Sequence, residues 1–201
     1  MFKGNFGQII NKWTYGGLNS AVGNLISHGV NWAGMVDGVT EMDGMLALSG
    51  ITEGSAAFTV GHYSLGPDNY TATYKDHLFV HEYGHYIQSQ RMGPAYFSVV
   101  AIPSLLSAWF TSDLVGMKHD YRWFEINASK LAARYFNREY GPNSSHTGEE
   151  GFVPFNVSAF SNGGNPGYIN PRDNNSYQFS TPTHGSRVVA WDFSSLILFI
   201  L

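Results

Sequence analysis

The stretch His81-Glu82-Tyr83-Gly84-His85, inside KDHLFVHEYGHYIQSQRMGP, limits what this chain can be more than any other. Residues four apart on an α-helix lie one above the other, so His81 and His85 can share a metal ion. Glu82 then leans over the same place. Two neutral imidazoles and a carboxylate beside an open coordination position form the donor pattern of a hydrolytic zinc site. The spacing has this meaning only on a helix, and the flanks supply one. Asp76 stands where an N-cap belongs, and its charge suits a helix N-terminus. Arg91, Gly93 and Pro94 give a last-turn cation, a C′ glycine and a stop. The pattern predicts a helix over about 77–92. Gly84 in its interior costs about 1 kcal/mol relative to alanine, a cost expected where another segment approaches closely. Chance produces such a motif in roughly one shuffled sequence in a hundred, and the capping signals lower that risk.

A zinc site of this type needs a third protein ligand. The chain has no cysteine, so the ligand is His, Asp or Glu. Metzincins place a glycine three residues after the second histidine and another histidine three further on. Gln88 and Arg91 occupy those positions here, which leaves a carboxylate from a later helix. Glu125, in HDYRWFEINASKLAARYFNRE, is the preferred candidate. The segment 122–138 has helical periodicity, with Glu125, Ala128, Ala132 and Phe136 on one face. Small alanines beside the glutamate permit close helix packing. The neighbours Trp123, Phe124 and Ile126 point to a buried turn, and a buried ionised carboxylate requires a partner such as a metal. Asp113, Asp120 and His119 stand as competing ligands, with His119 preferred as a catalytic group that assists the transition state.

HEYGH followed by Glu125-x-x-Ala128 resembles the gluzincin pattern, in which a glutamate completes the zinc site. The run SAAFTVGHYSLG, with HEYGHYIQSQRMGPAYFSVVAIPSLLSA after it, resembles the C-terminal domains of bacterial RHS-repeat proteins. That second resemblance covers roughly residues 30 to 140. It implies a toxin or effector tip, secreted or delivered as part of a larger bacterial protein. An immunity protein and the parent RHS shell are the partners it implies. The residues themselves leave localisation open.

The expected fold class is α+β and zincin-like. It comprises a small mixed sheet with an edge strand near 57–65, the active-site helix at about 77–92 and a second ligand-bearing helix at about 122–138. Ala57–Leu65, rich in aromatic and β-branched residues and bounded by glycines, reads as that strand. Gly61 inside it marks a bulge or a close backbone approach. An edge strand there could pair with an extended peptide through main-chain hydrogen bonds. Leu18–Val30 has apolar spacing near that of a helix, weakened by Gly23 and Gly29. Residues 1–140 are read as the metallopeptidase core. Residues 141–201 form a Gly/Asn/Ser-rich loop and a closing segment of the same domain, with a strand expected at 188–193.

Other classes are disfavoured. A net charge of −4 leaves no electrostatic footprint for nucleic acid. The apolar run Ala95–Phe110 contains Pro103 and falls short of the ~20 residues that cross a bilayer, so a buried helix is expected and no stable membrane insertion. The N-terminus lacks the apolar segment of a signal peptide.

The expected activity is zinc-dependent hydrolysis, with a peptide or protein as substrate. His81, His85 and Glu125 would hold Zn²⁺ and Glu82 would act as general base. The oxyanion donor is one of His119, Tyr121, Tyr140, His146 and His184. No substrate-binding residue is assigned. Alternatives are a catalytically inactive zincin-like binding or structural tip, a metal hydrolase acting on a cell-wall amide, and an interaction module carrying the motif by chance. The intact Glu82 favours catalysis, since a structural metal site has no use for it.

Overall fold

The computed structural model describes residues 10, 13–54, 56–109 and 122–141, together with Phe152, Pro154, Phe155 and Val157. Among the described residues the architecture is mixed α+β, with four α-helices and a four-stranded sheet. The chain divides into two compact units, Met1–Phe97 and Ser98–Leu201.

The first unit runs α1 (Gly17–Trp32), β1 (Gly38–Met42), β2 (Met45–Ser49), β3 (Phe58–Val60), β4 (Tyr63–Leu65) and α2 (His77–Met92). The strand order is β1-β2-β4-β3. β2 and β4 pair in parallel while the two outer pairs are antiparallel. The β1–β2 hairpin turns at Asp43-Gly44, where φ is 48° and 83°. Two positive φ values are what a two-residue type I′ turn requires. The Asp-Gly pair between Met42 and Met45 is the sequence signal for this turn.

Ala57–Leu65, expected as one strand, is two. The chain reverses at Gly61-His62, with Gly61 at φ 63°, and of these two strands β3 lies at a sheet edge while β4 is interior. Gly61 is also a place of close approach, because an added Cβ would strike the Asn19 carbonyl of α1. Gly23, one turn along α1, lies in the same way against the Val60 carbonyl oxygen.

Strand alternation gives the sheet two unlike faces. Leu48, Tyr63 and Leu65 form a core cluster with Ile26 and Val30 of α1 and with Leu46 and Phe58. The opposite face carries small residues, Ala47, Thr59 and Ser64, and α2 lies against it. Small side chains on the sheet leave room for the large ones of the helix. Phe79, Tyr83 and Tyr86 are all at most 1% exposed, and burying a side chain the size of Phe79 contributes about 1.5–3 kcal/mol. Asp76 caps α2 as expected, its Oδ1 accepting from the Leu78 and Phe79 amides at 3.0 and 3.2 Å. At the other end Gly93 has φ 56°. Asn19, itself buried, donates to Ser89 Oγ at 2.9 Å and Gly93 O at 2.7 Å, fastening α1 to the end of α2.

A π-helical turn, Phe97–Ala101, leads into α3 (Ile102–Trp109) of the second unit, and α4 follows as Trp123–Tyr140. Pro103 is the second residue of α3 and follows directly on the π-helical turn. The apolar run is less buried than expected. Val100 and Pro103 are inside, but Ile102, Leu105 and Leu106 are about two-fifths exposed. Among the described residues no helix is long and apolar enough to cross a membrane. Glu125, Ala128, Ala132 and Phe136 form the predicted buried face of α4. Ile126 and Ala133 pack with Phe155 and Val157, and the Asn137 amide clasps the Phe155 backbone with two 2.7 Å hydrogen bonds. The expected strand at 188–193 and most of the loop before it lie outside the described residues.

Candidate metal centre

α2 sets His81 and His85 one turn apart, their rings edge to face with centroids 5.0 Å apart. His85 is buried, and its Nδ1 lies 2.9 Å from Gln88 Oε1 one turn further on. An amide oxygen only accepts, so the ring carries its proton on Nδ1 and presents the Nε2 lone pair. Such a partner fixes the tautomer a metal ligand needs.

In α4, Glu125 is 1% exposed, and Ser104 Oγ of α3 donates to its Oε1 at 2.6 Å. A buried carboxylate is a donor that suits a metal ion. His81, His85 and Glu125 each offer one ligand atom, and these atoms lie within 4.8 Å of one another. The donors also match in kind, since two imidazoles and a carboxylate suit zinc. The residues present therefore fit a metal ion.

Glu82 adjoins this set and is 3% exposed. Thr59 Oγ1 lies 2.6 Å from its Oε2 and 3.2 Å from its backbone oxygen. Nearby, Tyr70 and Ser64 share a 2.6 Å hydrogen bond. Burial raises the Tyr70 phenol well above its ordinary pKa and the Glu82 charge raises it further, against the Ser64 hydrogen bond. Tyr70 is therefore a neutral group at physiological pH. His77 begins the helix one turn before His81. Burial lowers its pKa, with Asp76 opposing and His81 adding to the effect.

The chain thus brings together the three expected ligands, with Glu82 next to the first of them. His119, Asp113, Asp120, Tyr121, His146 and His184 lie outside the described residues. Tyr140, at the end of α4, stacks on Phe136 with centroids 5.8 Å apart. Three residues of the site went unforeseen. Gln88 could have been found from its spacing of three after His85. Thr59 and Ser104 come from other elements and carry no local signal. An open cavity of about 750 Å³ beside α1, lined by Trp13, Ala21, Leu25, His28, His62 and Tyr63, includes none of the metal donors.

Searched against family models, curated proteins and solved structures, the chain finds no match.

Proposed function

We propose that this protein is a zinc-dependent hydrolase, a metalloendopeptidase of zincin type. The observation that carries the reading is the set of three donor atoms within 4.8 Å from His81, His85 and Glu125, with the buried carboxylate of Glu82 directly after His81 in α2. When bound, zinc supplies Lewis acidity towards a carbonyl oxygen and lowers the pKa of its water towards about 7. His81, His85 and Glu125 would hold the ion, with Gln88 and Ser104 orienting two of them. Glu82 receives the proton of the attacking water and returns it to the leaving amine. β3, at the sheet edge beside α2, offers a place for an extended peptide, although its Thr59 carbonyl already accepts from the Tyr96 hydroxyl at 3.3 Å. Delivery as the effector tip of a larger bacterial protein is the setting that the RHS resemblance suggests.

The deciding experiment joins metal content to cleavage of a broad peptide library. Wild-type protein should hold stoichiometric zinc and cleave peptide bonds, and Glu125→Ala should lose the metal. Glu82→Gln should keep the metal while turnover falls by on the order of 10²–10⁴-fold. A wild-type chain without zinc after reconstitution, or a Glu82→Gln variant of undiminished activity, overturns the proposal. Zinc without cleavage would favour the inactive binding tip.

A further inference from the structure

Thr59 has no place in the reaction just described, yet it makes the one hydrogen bond to the Glu82 side chain found among the described residues. We infer that Thr59 is a positioning residue, which holds the Glu82 carboxylate in one orientation from the edge strand. This rests on the reading of Glu82 as the general base.

A threonine hydroxyl has a single proton. With Oε2 at 2.6 Å and the Glu82 carbonyl oxygen at 3.2 Å, the proton goes to Oε2, where the bond is shorter. Thr59 is 6% exposed and Glu82 3%, so water does not compete for the contact. A carboxylate bonded through Oε2 cannot rotate about its last torsion without breaking that bond. Oε1, to which no described residue donates, is left to meet a water proton.

The threonine is itself held from three sides. The two-residue turn at Gly61-His62 makes Val60 and Tyr63 the hydrogen-bonded pair next to the turn, so Thr59 and Ser64 form a non-hydrogen-bonded pair with their side chains on the α2 face. The Thr59 carbonyl accepts from Tyr96. The turn is pressed against α1 at Asn19, and Val60 is pressed against Gly23. β-Branching further restricts the Thr59 χ1 angle. A rigid support is what a general base requires, because misplacement by about 1 Å can cost a hundredfold in rate.

The test compares Thr59→Val, which keeps the shape and removes the donor, with Thr59→Ser, which keeps the donor. In zinc-loaded protein cleaving the peptide library, Thr59→Val should lower kcat about 10–100-fold with KM and zinc stoichiometry unchanged. Thr59→Ser should recover most of the rate. A readout independent of catalysis is a double-mutant cycle on unfolding of the metal-free chain, combining Thr59→Val with Glu82→Ala. Direct contact predicts non-additivity of at least about twofold in the unfolding equilibrium constant. An active wild type with Thr59→Val at full kcat, a Thr59→Ser variant as impaired as the valine, or an additive cycle overturns the inference. The first two leave the hydrolase reading standing. A wild type that binds zinc and cleaves nothing removes the hydrolase reading and the positioning role with it.

Discussion

Replacing Gln88 by leucine removes the acceptor of the His85 Nδ1 proton while preserving most of the volume. Both residues are buried, at 2% and 5% exposure, so no water takes the place of the 2.9 Å hydrogen bond. Two consequences follow, and they are separately measurable. In metal-free protein the His85 ring loses this hydrogen bond, which costs about 0.5–1.5 kcal/mol of stability. Metal binding also suffers, because the ring is free to move its proton to Nε2 and must give that tautomer up to bind. Loss of such an orienting partner lowers affinity about 10–100-fold, equivalent to roughly 1.4–2.7 kcal/mol. Gln88→Glu acts in the opposite sense, since a carboxylate accepts the same proton and raises ring basicity. Zinc competition against a chromogenic chelator at neutral pH gives the affinities, and denaturant unfolding of the metal-free chains gives the stabilities. A folded Gln88→Leu protein that binds zinc within about twofold of wild type would show that His85 is not held through Gln88, or is not a ligand.

Two further perturbations test the frame around the site. Gly23→Ala gains about 1 kcal/mol of helix propensity but drives a methyl group into the Val60 carbonyl and to 2.9 Å from Tyr63 Cδ2. Overpacking of this kind costs about 1–3 kcal/mol. The Tm should fall rather than rise, and a rise would mean that α1 and the β3–β4 hairpin are not in contact there. His77, with its pKa lowered from 6.5 by burial, binds its proton less readily folded than unfolded. Its contribution to stability is therefore present above pH 6.5 and is lost as the pH falls towards the folded value. In metal-free protein, His77→Gln should flatten the acid side of the stability–pH curve, and a titration of His77 by NMR at or above 6.5 would refute the argument.

The motif helix was legible almost to the residue, because its signals are local. Asp76, Arg91 and Gly93 mark the ends, and the span 77–92 follows from them. Glu125 was legible for a different reason. A charged residue among Trp123, Phe124 and Ile126 on an alanine-lined face needs a partner, and the helix around it is strongly periodic. The β3–β4 hairpin was misread because alternation looks the same on either side of a tight turn. Only the sign of φ at Gly61 separates a bulge from a reversal, and a glycine permits both.

By itself the sequence determined the chemistry available: which side chains can ligate, the absence of cysteine, and a helix that stacks His81 over His85 with Glu82 beside them. It also determined the class of elements, since capping, periodicity and turn residues act within a few positions of one another. The tertiary structure decided which distant side chains complete the site. Ser104 reaches Glu125 at 2.6 Å and Thr59 reaches Glu82 across twenty-three positions of chain. No local rule encodes such pairs. A hydroxyl is compatible with any face of any element, and its partner is chosen only when strands and helices pack and a buried carboxylate must find a donor.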